Sequence, residues 1–399
     1  MAIPPTRSTK AVQILALNRG SSSLKFGLYR VCSANAVCLI SGEAEPIGST
    51  HTAFHAEDAC GQTVLHETAL GTAPQAAVAR IASLLADSHL AMPQAIGHRI
   101  VHGGPRLRQH CLIDESVMTA LQQATDFAPL HTPDALAAVQ YATAHFPGRP
   151  QVACLDTCFH ADMPRVASTL ALPREMHELG IQRYGFHGLS CESIVHQLTE
   201  ALPERMVIAH LGNGASITAV RHGVSIDTSM GLTPAGGLIM GTRSGDLDPG
   251  VLLHLMRVRK LDLPELDELI NHRSGLLGIS ALSADMRALQ AAAATHEDAA
   301  LAIAMFCYVC AKHIGAMAMA LGGIDQLVFT GGIGEHDSLV RSTICTHLSC
   351  LGIILDSVLN ARGTDSIHHN ASRCTVRVLT SLEDAQIARH TWRLSIPHQ

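Results

Sequence analysis

The chain has little aromatic side-chain surface: it contains a single tryptophan, and aromatic residues make up 3% of its 399 positions. Proteins that hold single-stranded nucleic acid stack bases on exposed aromatic rings, and this composition disfavours that function. Basic residues are not in excess either, because the formal net charge is −6. A general nucleic-acid-binding protein normally carries a basic surplus, so no nucleic acid is expected as a partner.

Segments typical of export or membrane insertion are also lacking. The early apolar run AVQILAL is short, contains Gln13 and leads directly into Asn18, whereas a secretory leader has a longer apolar region and a small-residue cleavage site. Residues 301–321 are apolar but contain Lys312 and His313, and a charge at mid-span is costly in a bilayer. We therefore expect a buried core helix over this stretch, no membrane association, and a cytoplasmic protein whose 12 cysteines are reduced.

Several catalytic and metal-binding motifs do not occur: a Walker P-loop, a G-x-S-x-G elbow, HExxH and zinc-ligand spacing. Cys307 and Cys310 form a C-x-x-C, but no strand and turn precede it as in a redox motif, so core packing is expected. Hydrophobic residues make up 47% of the chain and charged residues 16%, which allows large cores. The length suits two domains.

What the chain has is a glycine-rich stretch at residues 207–249, VIAHLGNGASITAVRHGVSIDTSMGLTPAGGLIMGTRSGDLDP. Residues 207–209 predict a buried strand, and 215–220 alternate like a returning strand. Between them, 210–214 predict a turn, because Asn and Gly tolerate positive φ. Rows of backbone N–H groups at such a tip bind phosphate. Arg243, between glycines, offers a planar fork of donors for phosphate or carboxylate oxygens.

A second hairpin of the same kind lies near the start of the chain. Residues 11–17 and 26–31 predict strands, and NRGSSSLK between them supplies small, donor-rich residues and the point charge of Lys25. Two such hairpins, far apart in the sequence, predict a duplicated architecture with one phosphate hairpin in each half.

Single charged residues near predicted strands are further candidates. Arg99 lies on the strand predicted at 96–101, and Asp156 follows another strand in CLDTCFH. Ligands of open α/β sheets collect at the carboxyl ends of strands, although an Asp there also serves as a helix N-cap. Residues 331–335, GGIGE, predict a turn after a strand, with the backbone close to a flat ligand.

These segments together resemble the acetate kinase family from Asn18 to Glu383. The matching motifs are NxGSSSLK, GHRIVHGG, APLH, YGFHG, HLGNGxS, DTSMGxTP, GTRSGDxDP, SGLLGxS, DxR and FTGGIGE. The chain departs from the family pattern at Arg19, Thr132, Ala235, Gly236, Ala281, His336, Leu382 and Asp384. The resemblance implies an α/β, two-domain duplicated fold like that of actin and the sugar kinases, with a nucleotide cleft between the halves. Residues 1–156, rejoined by 385–399, would form the acyl-substrate domain, and 157–384 the nucleotide-binding domain.

The resemblance also implies the reaction: reversible, Mg²⁺-dependent in-line transfer of a phosphoryl group from ATP to acetate, giving ADP and acetyl phosphate. Mn²⁺ is an alternative metal, and a homodimer is expected. The implied catalytic residues are Asp156, His187 and Arg243. Asn18 and Glu383 are the implied metal ligands. Because a carboxylate nucleophile has no proton to lose, we favour a positioning role for Asp156 over proton transfer.

The implied binding residues fall into two groups. The nucleotide and its phosphates are assigned to Lys25, His210, Leu211, Gly212, Asn213, Gly214, Asp285, Met286, Arg287, Gly332, Ile333, Gly334, Glu335 and His336. The acyl substrate is assigned to Arg99 and His131, with a methyl pocket of Val101, Leu130, Phe186 and Pro234. Val101 lies two residues beyond Arg99 on the predicted strand and so is expected on the same side. A closed pocket predicts acetate over propionate.

Three alternatives remain open from the sequence. A propionate or butyrate kinase shares the machinery and differs at the acyl pocket. A sugar kinase shares the fold but needs a polar pocket with a base for a hydroxyl group. A non-catalytic nucleotide-binding regulator is suggested by the departures from the motifs, whereas the intact Arg99, Asp156, His187 and Arg243 argue for an enzyme.

Overall fold

The computed structural model describes residues 11–20, 23–32, 35–47, 51–70, 74–88, 90–129 and 131–396. Leu130, predicted to line the acyl pocket, lies outside the described residues. Within them the protein is a mixed α/β structure with two separate sheets.

The strands are β1 (Val12–Arg19), β2 (Leu24–Cys32), β3 (Asn35–Ile47), β4 (His51–Asp58), β5 (Thr63–Leu70), β6 (Ala95–Ile100), β7 (Cys111–Leu112), β8 (Gln151–Leu155), β9 (Arg205–Leu211), β10 (Ala215–Arg221), β11 (Val224–Thr228), β12 (Gln326–Thr330) and β13 (Thr375–Val378).

The helices are α1 (Pro74–Asp87), α2 (Glu115–Gln123), α3 (Thr132–His145), α4 (Arg165–Ser168), α5 (Arg174–Glu178), α6 (Gly188–Gln197), α7 (Pro249–His254), α8 (Leu263–His272), α9 (Gly275–Ser280), α10 (Met286–Ala292), α11 (Glu297–Leu321), α12 (Gly331–His336), α13 (Ser338–His347), α14 (Ser357–Arg362) and α15 (Glu383–Ser395). The helix α7 continues as a π-helix over Leu255–Arg259.

The two sheets share one topology, which confirms the duplicated architecture. The larger sheet has the order β5-β4-β3-β2-β1-β6-β8-β7, and the smaller has β11-β10-β9-β12-β13. In each, an antiparallel meander, of five strands in the larger sheet and three in the smaller, continues into two parallel strands: β1 into β6 and β8, and β9 into β12 and β13. The two phosphate hairpins predicted from the sequence are β1–β2 and β9–β10, which occupy equivalent places.

The chain folds as two compact units. The first holds the described residues up to Cys158, residues 188–193 and those from Leu382 onward. The second holds residues 159–187 and 194–381. The assignment of the acyl substrate to one domain and of the nucleotide to the other stays a prediction.

The first unit buries both faces of its sheet, as the alternation of β1 requires. Leu15 and Leu17 pack on one face with Ile81 of α1. Ile14 and Ala16 pack on the other face, where α15 contributes residues such as Trp392. The chain therefore returns at its C-terminal end to complete the core of the first unit.

The second unit packs α11 against its central strands β9 and β10. One side of this helix is buried, including Phe306, Cys307, Cys310 and Ile314. Its other side is exposed and also apolar: Leu301 is 50% exposed, Tyr308 55% and Met319 80%. The helix predicted for 301–321 is therefore present, but only one of its faces is buried in the core. By length and composition alone α11 would span a bilayer, and among the described residues it is the one such helix.

Candidate functional site

A chain of polar contacts in the first unit joins the end of β1 to the start of α15. The amide Nδ2 of Asn18 donates to Glu383 Oε2 at 3.1 Å and to Asp384 Oδ1 at 2.8 Å. Asn18 is buried, and Lys25 lies opposite it across the β1–β2 hairpin. Asp384, where the chain departs from the family pattern, therefore accepts a hydrogen bond from the same Asn18 side chain as Glu383.

The same chain continues to the carboxyl ends of two parallel strands. Arg99, on β6, donates from Nη2 to Asp156 Oδ2 at 2.7 Å and from Nη1 to Asn18 Oδ1 at 3.4 Å. Asp156 is fully buried just after β8, and its Oδ1 also accepts from the backbone N–H of Leu189 at 3.4 Å. Asp156 therefore contacts the first turn of α6 as well as Arg99, whereas the N-cap of α6 is His187.

The electrostatics of this cluster favour a cation. Burial disfavours the charge of Arg99, but the nearby carboxylates of Asp156 and Glu383 outweigh it and raise the pKa of Arg99. Burial, and then the charge of Glu383, raise the pKa of Asp384 to about 6, while its bond to Asn18 acts in the opposite direction. Three carboxylates with amide oxygen nearby form a donor set of the kind that a hard divalent cation prefers.

In the second unit, two histidines and an arginine meet at the tip of the β9–β10 hairpin. The ring of His187 stacks on that of His210 with centroids 4.2 Å apart, and its Nδ1 bonds Ser216 Oγ at 3.0 Å. A side-chain carbon placed on Gly214 would lie 3.3 Å from Nε2 of His187 and 3.7 Å from Nη1 of Arg243. Glycine keeps this tip open to a ligand within reach of both the His187 ring and the Arg243 guanidinium.

His187 holds its place through an unusual backbone. Its φ of 57° lies in the left-handed region, directly before α6. Such a conformation is uncommon for a residue with a side chain and is found where surrounding structure enforces it, often at functional sites. Here the buried hydroxyl of Ser216 on β10 fixes the imidazole.

The loop that carries Arg243 is attached to the same hairpin. The backbone N–H of Gly241 donates to the carbonyl of Asn213 at 3.1 Å. A side-chain carbon on Gly241 would lie 2.1 Å from Oδ1 of Asn213, so a larger residue here would displace the Asn213 side chain. The HLGNGxS and GTRSGDxDP motifs, which are separate in the sequence, therefore form one surface of the second unit.

The segment Gly332–His336, expected to hold the nucleoside, adjoins this surface. Gly331 has a φ of 78°, and a side-chain carbon on it would lie 2.8 Å from the carbonyl oxygen of Leu211. A side-chain carbon on Gly332 would meet nothing within 4 Å, so the outer side of the segment is open. The turn predicted here is instead the short helix α12, because Glu335 Oε1 accepts from Gly331 N at 2.9 Å and closes its first turn.

The third predicted nucleotide segment, at the start of α10, is tied to α12. Gln290 donates to Asp337 Oδ2 at 2.7 Å, which links α10 to the residue that follows His336. Asp285 caps α10 and pairs with the exposed Arg287 at 2.7 Å. Met286 is only 3% exposed, so its side chain belongs to the core.

The predicted acyl-pocket residues are partly described. Val101 is buried and directly follows β6, which ends at Ile100, one residue earlier than predicted; that Val101 lies on the same side as Arg99 stays a prediction. Phe186 is buried in the second unit and Pro234 is half-buried there. His131 directly precedes α3 in the first unit. The common pocket stays a prediction.

Comparison with known proteins agrees with these motifs. Residues 13–389 match the model of the acetokinase family. The chain belongs to the acetokinase family. It is 41% identical to the acetate kinase of Chromobacterium violaceum, over 96% of this chain and 98% of that protein. It is also 41% identical to acetate kinase 2 of Neisseria meningitidis serogroup B, with the same coverage.

Solved structures of the acetokinase family have the same fold. A propionate kinase from Francisella tularensis subsp. tularensis aligns with a TM-score of 0.89 at 35% identity, covering 96% of this chain and all of that one. The acetate kinase of Porphyromonas gingivalis aligns with a TM-score of 0.84 at 37% identity, with the same coverage. The chain is therefore an enzyme, a phosphotransferase whose acceptor is a carboxyl group, and the two-domain fold implied by the resemblance is confirmed.

One departure from the acetokinase pattern has a local explanation. Arg19, where the family usually has a small residue, turns away from the hairpin and pairs with Asp134 of α3 at 2.9 Å. The larger side chain is therefore accommodated by an ion pair, and Asn18 beside it keeps its contacts with the two acids.

Sequence reasoning missed a partly buried cluster in the first unit. His110, Glu192 and His390 bring ligand-type atoms within 4.8 Å of one another. The backbone N–H of Leu155 donates to Nδ1 of His110 at 3.0 Å, so a neutral ring carries its proton on Nε2 and has no lone pair there for a metal. Glu192 instead accepts from His390 at 2.5 Å, and we interpret the cluster as a hydrogen-bonded network.

Proposed function

We propose that the chain is an acetate kinase that transfers the γ-phosphoryl group of ATP to acetate, reversibly and in line. The observation that carries this proposal is the convergence of His187 and Arg243 on the open tip at Gly214. Phosphoryl transfer depends on positioning and on neutralising charge on the transferred oxygens, and these two side chains are suited to that. One carboxylate oxygen attacks the γ-phosphorus, and the bond to the bridging oxygen of ADP breaks.

The nucleotide is proposed to lie along the surface of the second unit that includes the hairpin tip. His210, Leu211, Gly212, Asn213 and Gly214 are the proposed phosphate-binding residues there. Lys25, on the β1–β2 hairpin, is likewise proposed to bind phosphate. The nucleoside is held by Asp285, Met286 through its backbone, Arg287, Gly332, Ile333, Gly334, Glu335 and His336. The support is that Gly332 leaves the outer side open and that α12 adjoins Leu211.

A magnesium ion fits the polar cluster of the first unit. Asn18 and Glu383 are the proposed ligands, with Asp156 and Asp384 within or near the coordination shell. When bound, Mg²⁺ neutralises the charge of the phosphates. Mn²⁺ would suit the same oxygen donors. Asp156 keeps Arg99 oriented, and Arg99 holds the substrate carboxylate; the 2.7 Å ion pair supports this arrangement.

The proposed methyl pocket consists of Val101, Leu130, Phe186 and Pro234, with His131 near the carboxylate. A closed apolar pocket discriminates against one extra methylene by roughly 10-fold or more. A propionate kinase is the second candidate, because the propionate kinase from Francisella tularensis aligns over 96% of this chain.

The experiment that tests the function is ATP-dependent hydroxamate formation with acetate, propionate and butyrate compared at equal concentrations. We expect kcat/KM to be highest for acetate, and Val101→Ala to shift the ratio toward propionate by about fivefold, near the burial value of one methylene. A wild type that prefers propionate would select the second candidate. An unchanged ratio in the variant would remove Val101 from the pocket.

A homodimer is proposed on the exposed apolar surface of the second unit. On α7 and the π-helix after it, Leu253 is 56% exposed, Met256 48% and Val258 57%, and the nearby Leu263 is 76% exposed. Apolar patches of this kind mark association surfaces. Val258→Asp should yield monomers in sedimentation analysis, whereas Val224→Asp, on a strand elsewhere, should not. Dimers in both variants would contradict this surface.

The proposed location is the cytoplasm. Each of the twelve cysteines is a free thiol in the structure, and disulfides are rare in that compartment.

A further inference from the structure

Arg341, on α13, is a buried arginine to which no role is assigned by the motifs. It is 1% exposed, and its donors are used on neutral oxygens rather than on a carboxylate. Nη1 donates to the carbonyls of Gly334 and Glu335, both at 2.9 Å, while Nε and Nη2 donate to Oδ1 and the carbonyl of Asn360, also at 2.9 Å. Burial lowers its pKa, with the charge of Asp337 acting in the opposite direction.

The two carbonyls on Nη1 belong to the last turn of α12. Carbonyls at the end of a helix have no partner within it, and a cation there also interacts favourably with the helix dipole. A helix of six residues is not stable by itself, because helices shorter than about 12 residues are marginal in water. Arg341 therefore fixes the backbone of α12 from its inner side.

Asn360 connects this arginine to two further elements. It lies on α14, is 5% exposed, and its Nδ2 donates to the carbonyl of Ser338 at 2.8 Å. On the opposite end of α12, Glu335 accepts from Gly331 N at 2.9 Å and from Ser381 N at 3.0 Å. The short helix is thus held at both ends, and its remaining open side is the one at Gly332.

We propose that Arg341 is a positioning residue for nucleotide binding, which sets the backbone of Gly332–His336 in the conformation that receives the nucleoside. The inference rests on the proposed function of that segment. Arg341 touches no ligand in this arrangement: it binds the inner carbonyls, and the nucleoside would approach the outer side.

The test separates nucleotide affinity from turnover. Arg341→Met keeps most of the side-chain volume and removes all the donors. We expect KM for ATP and Kd for ADP to rise about tenfold or more, with kcat at saturating ATP and KM for acetate within about twofold of wild type. Arg341→Lys retains one donor for the two carbonyls and should restore part of the affinity. Arg205→Met, which removes a partly exposed ion pair with Asp325 in the same unit, is the matched control and should leave KM for ATP unchanged.

Comparing Gly332→Leu with Arg341→Met separates a failure of the proposed nucleotide-binding segment from a failure of the positioning role of Arg341. Gly332→Leu fills the open side and should abolish ADP binding; unchanged binding there would overturn the proposed role of the segment itself. If Gly332→Leu loses binding while Arg341→Met keeps a wild-type KM for ATP, only the positioning role fails. Should Arg341→Met not fold, Arg341→Lys and Asn360→Ala decide, and a wild-type KM for ATP in both would overturn the proposal.

Discussion

The guanidinium of Arg99 donates to the carboxylate of Asp156 at 2.7 Å, so the arginine proposed to hold the substrate carboxylate already has a carboxylate partner. Arginine has five N–H donors, and Asp156 uses one side of the fork. Asp156 and Asn18 each accept from one N–H group of the guanidinium, and the side chain is 14% exposed. Donors therefore remain for a second carboxylate, which can bind without displacing Asp156.

Asp156→Asn tests the positioning role of this acid. The variant keeps the shape but removes the charge that orients Arg99, and small misplacements of reacting groups cost on the order of a hundredfold in rate. We expect kcat/KM for acetate to fall by about that factor. The shape of the pH–rate profile between pH 6 and 8 should stay the same in both enzymes. A limb of the profile that disappears in the variant would instead support proton transfer by Asp156.

Arg243→Ala tests the loop assigned to the transition state. Removing one donor that stabilises developing charge costs on the order of 3 kcal/mol, or about a hundredfold or more in kcat. ADP should still bind, because the hairpin and α12 remain, and calorimetry would measure this. The control is Arg362→Ala, an exposed arginine at the end of α14. Unchanged turnover in Arg243→Ala would exclude this loop from the chemistry.

Glu383→Gln and Asp384→Asn together identify the metal ligand. Asn18 contacts both acids, at 3.1 and 2.8 Å, so the geometry allows either to hold the ion. We expect Asp384→Asn to raise the Mg²⁺ concentration for half-maximal activity by about tenfold, the lower end of the usual cost of losing an outer partner of a metal site, and Glu383→Gln to raise it further because a direct ligand is lost. A Mg²⁺ titration moved only by Asp384→Asn would transfer the ligand role to Asp384.

The parts of the site that could be predicted from the sequence depend on residues that lie close together in the chain. The hairpin tip at Gly214 follows from strand alternation and from residues that tolerate a turn, and both signals lie within a few positions. The contact of Asn18 with Asp384 joins residues 366 positions apart, and that of Arg341 with Asn360 depends on the packing of two helices. Sequence periodicity carries no information about such pairings. The predicted strand at Val101 extended one residue too far, because apolar character continues past the end of β6.

Ala281 offers a stability test at a departure from the family pattern. It ends α9 with a φ of 51°, where the family usually has glycine. A left-handed conformation costs a residue with a side chain roughly 1–2 kcal/mol. Ala281→Gly should therefore raise the free energy of unfolding by about 1 kcal/mol, measured from urea midpoints at equal m. Ala293→Gly, at a φ of −58°, should lower it by about 0.5–1 kcal/mol. A loss of stability in both variants would contradict the strain at Ala281.

His98 on β6 predicts how the stability of the first unit depends on pH. The side chain is 2% exposed and bonds Gln151 Oε1 through Nε2 at 2.6 Å. Burial lowers its pKa from 6.5 to about 4, although the bond to Gln151 acts in the opposite direction. The unfolded chain therefore binds the proton more readily than the folded one between these values. The contribution of His98 to stability is complete above about pH 6.5 and is lost as the pH falls toward 4, by about 1.4 kcal/mol per pH unit at most.

Replacing the imidazole of His98 by a group that does not titrate should make the free energy of unfolding depend less on pH. His98→Gln retains an N–H donor for Gln151 but binds no proton, so its free energy of unfolding should change less between pH 6.5 and 4.5 than that of wild type, by about 2–3 kcal/mol. His272→Gln, at an exposed histidine at the end of α8, is the control and should keep the wild-type slope. If wild type and His98→Gln lose stability in parallel over this range, His98 takes up its proton in the folded state as easily as in the unfolded chain.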